Sequence, residues 1–192
     1  MYKLNEVLTL IDQAGTGELP PSGDIENVDE LIGFSFGLYF DDEGQLGNPG
    51  PVNEAMAEFV VGNEVLRSKN MTLQEELAVA IEAREPRLAH QIDTLKTIKE
   101  PGTAYNTHEL LVTAKPTLVQ RGVGSLAVLA FRNHLPRAAA QVKKAGFIVA
   151  TPDMSGVGDF DPKSPQGWIH NPEAWIRRER VAIAAFALMN RI

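Results

Sequence analysis

The sequence predicts an α/β fold: a Rossmann-like three-layer sandwich with a mostly parallel sheet of about five strands and helices on both faces. Short apolar runs bounded by turn residues alternate with longer segments of helical spacing. Parallel neighbours need a crossover of a dozen residues or more, and that alternation is the trace such crossovers leave. No internal repeat or low-complexity linker divides the 192 residues, so they read as one domain. Residues 1–29 supply an N-terminal helix and connector, and 171–192 a C-terminal helix packed on the domain.

In order along the chain, "NEVLTLIDQAG" has helical spacing and a glycine stop, and "GELPPSGDIENVD" is a turn-rich connector. "ELIGFSFGLYF" (30–40) predicts the first strand and "DDEGQLGNPGP" a loop. "VNEAMAEFVVGNEVLRSKN" predicts an amphipathic helix entered at a proline. "ELAVAI" (76–81) predicts a second buried strand and "HQIDTLKTI" (90–98) a weaker third. "AYNTHELLVTAKPTLVQRG" predicts a helix ending at Gly122, which Pro116 should kink or whose start it should shift. "SLAVLAF" is a strand, "PRAAAQVKKAG" a helix and "FIVATP" a short last strand. The final helix starts at Asn171 as cap, with Pro172 in its first turn and "VAIAAFALM" (181–189) as a buried face.

Composition narrows the function. A formal charge of −7 argues against general nucleic-acid binding, which needs a positive field. No apolar stretch is long enough to span a bilayer, no signal peptide is legible, and cytoplasm is the expected compartment. Zero cysteines exclude disulfide and thiolate chemistry. The four histidines (90, 108, 134 and 170) lack metal-ligand spacing, so no metal site is expected. "GFSFG" (33–37) formally matches the nucleophile elbow, but it lies within the expected strand, and a loop rather than a helix follows. Dinucleotide and phosphate-loop fingerprints are absent.

Chemistry concentrates after two strands. In open parallel sheets, ligands settle beyond the carboxyl ends, where strand-to-helix loops gather. "RNHLPR" places Arg132, Asn133 and His134 directly after one strand, with Arg137 in the next helical turn. "EPGTAYNTHE" places Glu100, Asn106, Thr107 and Glu109 after another. Arginine suits planar anions, imidazole suits proton transfer or hydrogen bonding, and amides suit orientation. The plainer uses are helix caps for Asn106 or Thr107, a structural His134, and a surface ion pair for Arg137.

The order of these two segments also carries a resemblance. Glu100 followed by "NTHE" (106–109), an apolar strand, "HLPRA" (134–138) and a helix ending in "AGF" resembles the YdcF-like family, which includes SanA- and ElyC-type proteins. The similarity is best over 100–151 and fainter over 30–81, where "IGFSFGLY" matches the opening strand. It implies a Rossmann-like fold, a polar pocket above the sheet, and Glu100, Asn106, Thr107, Glu109, His134 and Arg137 as site residues. A ligand of the S-adenosylmethionine or other nucleotide-like type is implied by the resemblance alone. Two positions depart from the family: "EAREP" (82–86) replaces a Ser-Gly-Gly turn, and Asn53 stands near a usual arginine.

The expected function is therefore binding of an anionic or nucleotide-like small molecule at the carboxyl edge. His134 and Glu100 are the expected catalytic groups, and Asn106, Thr107, Glu109, Arg132, Asn133 and Arg137 the expected ligand contacts. The expected partner is that small molecule, with no nucleic acid and no membrane, and with a homodimer through the C-terminal helix. The alternatives are a non-catalytic interaction protein with a degenerate pocket, or a cell-envelope hydrolase or transferase.

Overall fold

A computed structural model describes residues 4–39, 47–100 and 103–189; residues 41–46 of the expected "DDEGQLGNPGP" loop lie outside them. The strands are β1 (Glu30–Gly33), β2 (Asn70–Gln74), β3 (Ile92–Leu95), β4 (Ile98–Glu100), β5 (Thr103–Ala104), β6 (Ser125–Leu129) and β7 (Ile148–Ala150). The helices are α1 (Leu4–Thr16), α2 (Pro51–Gly62), α3 (Glu64–Arg67), α4 (Glu75–Arg84), α5 (Thr107–Gln120), α6 (Leu135–Lys144) and α7 (Pro172–Leu188).

The main sheet has the order β3-β2-β1-β6-β7, and every pairing in it is parallel. β4 and β5 form a separate antiparallel pair. The chain steps outward from β1 to β3, returns through α5 to β6 on the other side of β1, and ends at β7. Right-handed crossovers then put α2 and α4 on one face and α5 and α6 on the other. This is the α/β sandwich expected from the alternation of elements.

Central strands buried on both faces read as unbroken apolar runs. β1 is buried throughout, and Leu126–Leu129 of β6 are fully buried beside it. Gly33 ends β1 where a Cβ would come within 2.6 Å of Leu73 and 2.7 Å of Leu77, so a larger residue there would have to push these side-chain ends aside for α4 to sit this close to the sheet. On the sheet's opposite flank α1 packs on α7 through a small cluster around Ala14 and Ile183.

Several sequence expectations are corrected. "ELAVAI" is not a strand but part of α4, because Leu77, Ala78, Ala80 and Ile81 are buried at helical spacing while Val79 faces solvent. The second strand is Asn70–Gln74, whose strong apolar side chains are only Met71 and Leu73. The helix expected over 52–70 ends at Gly62; Asn63 then caps a single turn, accepting from the N–H groups of Val65 and Leu66. The first strand stops at Gly33 rather than Phe40, which moves Ser35 off the strand and onto its carboxyl end. Pro116 leaves α5 intact: it sits on the exposed side, where the carbonyl it deprives of a partner meets water. Of "VAIAAFALM", Ile183 is fully buried, whereas Val181, Leu188 and Met189 are exposed. Among the described residues no helix is long and apolar enough to cross a membrane.

Candidate functional site

Strand order reverses between β1 and β6, so the loops leaving their carboxyl ends diverge to opposite faces and leave a crevice. A cleft of about 710 Å³ occupies that place. Residues 35–38 after β1 and Gln74 at the end of β2 form its floor. Asn106 and Thr107 at the start of α5, with His134 and Arg137 after β6, form one wall. The opposite wall comes from Gln166 and Trp168 and from Trp175, Arg178 and Glu179 of α7.

The floor loop is held by buried amides. Asn53 Oδ1 accepts from the Phe36 N–H (2.8 Å), and its Nδ2 donates to the carbonyls of Phe36 (3.2 Å) and Pro49 (2.6 Å). Gln74 Oε1 accepts from Ser35 N–H at 3.0 Å, and Gln166 Oε1 from Leu38 N–H at 3.1 Å. Gly37 has φ 90°, and a Cβ there would lie 2.6 Å from Ile169, so this bend is reserved for glycine. Asn53, where the YdcF-like pattern has an arginine, thus holds the loop and does not line the cleft.

The two polar segments singled out in the sequence do meet. His134 Nε2 lies 3.1 Å from Thr107 Oγ1, and Arg137 Nη1 donates to the same hydroxyl at 3.4 Å. Asn106 reaches the cleft but also forms a capping box with Glu109: its Oδ1 accepts from Glu109 N–H (3.1 Å), and Glu109 Oε2 accepts from Asn106 N–H (3.0 Å). Glu109 serves that cap and pairs with Lys99 at 3.5 Å, and it does not line the cleft.

Arg132 and Asn133 turn elsewhere. Arg132 stacks on Phe131 and bonds the Gly158 carbonyl and Asp159 (2.6 Å), which fastens the loop after β7. Asn133 Nδ2 donates to the carbonyls of Ala14 (2.9 Å) and Gly15 (3.3 Å), closing the last turn of α1. The backbone of Glu100 ends β4, and its side chain lies outside what the structure describes.

Sequence reasoning missed the groups that set the electrostatics. Glu179 is buried and takes the Arg137 guanidinium in a two-pronged pair, from Nε to Oε1 at 2.5 Å and from Nη2 to Oε2 at 3.2 Å. The charge of Arg137 is therefore already compensated. Arg178, one residue earlier, stacks on the Trp168 ring at 3.7 Å, and its guanidinium makes no hydrogen bond or ion pair among the described residues. The signal was legible: Trp175, Glu179 and Ile183 are spaced by four, so an acid sits on the buried stripe of α7. No group of His, Asp or Glu among the described residues is arranged to hold a metal ion.

Burial, and then the nearby Arg137 and Arg178, hold His134 well below its ordinary 6.5 and keep the imidazole neutral. Its Nδ1 is buried without a hydrogen-bond partner among the described residues. The unfolded chain binds this proton more readily, so the His134 contribution is present above pH 6.5 and is lost as pH falls below it. Glu76, raised above 4.5 mainly by burial, titrates with the opposite sign, so the effect is read as a difference between proteins. Relative to wild type, His134→Asn should gain up to about 1.4 kcal/mol per pH unit between pH 6.5 and 5, measured by urea unfolding. Parallel pH profiles would show that His134 is not held neutral.

No protein-family model, no curated protein and no solved structure matches this chain.

Proposed function

We propose that this chain is a small-molecule-binding α/β protein whose cleft takes an anionic, nucleotide-like ligand, and that its YdcF-like resemblance belongs to the same reading. The observation that carries the proposal is Arg178, a cation that makes no hydrogen bond or close ion pair among the described residues and feels Glu179 only at longer range, laid on an indole at the rim of a cleft at the sheet's switch point. The Trp168 face and the apolar stem of α7 orient the guanidinium, so little side-chain freedom is lost when an anion binds. The start of α5 adds the positive end of a helix dipole. The aromatic side chains of Trp168, Trp175 and Phe36 line the cleft, the last two buried in its wall and floor.

Binding is the whole of this proposal. In this reading His134, neutral and with its Nε2 already engaging Thr107, serves as a wall group. Adenosine 5′-monophosphate is the probe. Arg178→Ala should weaken its binding about 10- to 100-fold, the worth of a charge-assisted hydrogen bond, with the unfolding midpoint unchanged. Equal affinity of the two proteins by calorimetry would sink the proposal.

The alternative of an interaction protein has the exposed Val181 and Leu188 of α7 in its favour. A monomer mass by light scattering at high concentration would remove the homodimer through that helix.

A further inference from the structure

Beneath the cationic rim, the floor holds polar groups that packing alone does not account for. Thr97 and Glu76 are fully buried and Gln74 nearly so, and all stand under the carboxyl ends of β1 and β2. Their hydrogen bonds run in one direction. Gln74 uses its carbonyl oxygen to accept from Ser35 N–H, so its amide nitrogen donates to Thr97 Oγ1 at 3.2 Å. The Thr97 proton must then go to Glu76 Oε2, at 2.6 Å. This chain spends Oε2 as an acceptor and leaves Oε1 buried with no hydrogen-bond partner among the described residues. The Ser35 hydroxyl stands beside that carboxyl, and Ser35 lines the cleft.

An orphaned carboxyl oxygen behind an accessible hydroxyl is a costly arrangement for a packing role. We propose that Ser35, whose hydroxyl can turn onto the unbonded Glu76 Oε1, forms a second subsite that takes an uncharged hydroxyl of the ligand, as a sugar would present. An anion is disfavoured there whenever the carboxyl beneath is ionised. A neutral hydroxyl both donates and accepts, so it suits Ser35 whichever way Glu76 turns that residue's proton. The two ends of the cleft then select different parts of one molecule: the rim an anionic head, the floor a polyol. The inference rests on the reading of the cleft as a ligand site and narrows its ligand to a phosphorylated or otherwise anionic sugar derivative. Glu76 is a positioning residue here, because it reaches the ligand only through Ser35.

Two probes separate the ends. In amide NMR titrations, ribose should shift Ser35 and Gln74, whereas inorganic phosphate should shift Thr107 and the Arg178 side-chain N–H. Ser35→Ala should weaken the ribose response roughly fivefold or more and leave the phosphate response unchanged. Glu76→Gln should keep the ribose response, since an amide also orients the hydroxyl, and Glu76→Leu should lose it. If Glu76→Leu does not fold, Ser35→Ala decides alone. Ribose shifts that are absent from Ser35 and Gln74, or that survive Ser35→Ala, overturn the subsite. A phosphate response that is missing while ribose behaves as described overturns the anionic rim and supports the floor.

Discussion

Arg137→Ala is expected to destabilise the fold by about 3–5 kcal/mol, seen as a lower urea midpoint at unchanged slope. The loss would not come from the attraction between Arg137 and Glu179, much of which repays the removal of both charges from water. It would come from stranding Glu179, which is 1% exposed, with no hydrogen-bonded counter-charge and only the longer-range attraction of Arg178. The same reasoning predicts that Arg137→Met with Glu179→Leu returns stability to within about 1 kcal/mol of wild type or above it. A single substitution costing under about 1 kcal/mol would show that the pair is solvated and that α7 is not locked to the start of α6.

Trp175→Ala should cost about 3–5 kcal/mol and also open one wall of the cleft. The indole packs against Phe36 (4.8 Å between ring centroids) and His134 (5.9 Å), and its Nε1 donates to the Asn133 carbonyl at 3.2 Å. It therefore joins α7 to the loops after β1 and after β6. Trp175→Phe keeps most of the buried area and loses the hydrogen bond, so it should cost clearly less than the alanine variant. Similar losses for the two would place the energy in the N–H group rather than in packing.

Much of the fold was legible because its central elements are locally unambiguous. "SLAVLAF" is a short apolar run bounded by glycine and polar residues. "NPEAWIRRE" carries its own cap, and Asn171 Oδ1 accepts from Ala174 N–H at 2.8 Å as such a cap should. The second strand misled because two short segments lie side by side. "NMTLQ" alternates only weakly, while the richer run "ELAVAI" is too short for periodicity to separate strand from helix. Packing decided it: α4 lies against α2, and Gly33 leaves room for Leu77.

The site was half legible for a related reason. Thr107, His134 and Arg137 sit where a strand or loop runs into a helix start, which position in an α/β chain reveals. Arg178 and Glu179 lie more than forty residues later, on a helix that returns over the cleft, and nothing local to α7 says what it will face. Arg132 and Asn133 shared the right loop, but adjacent residues at a turn point in different directions. One holds the loop after β7 and the other the end of α1. Ser35 was discounted because the strand was drawn through it; with β1 ending at Gly33 it opens to the cleft.

The most direct test is a crystal structure of the protein grown with adenosine 5′-monophosphate. The account predicts density between the loops after β1 and β6, with the phosphate in hydrogen-bonding distance of the Arg178 guanidinium and a ribose hydroxyl at Ser35. Nucleotide bound elsewhere on the surface, with this cleft empty at saturating concentration, would contradict it.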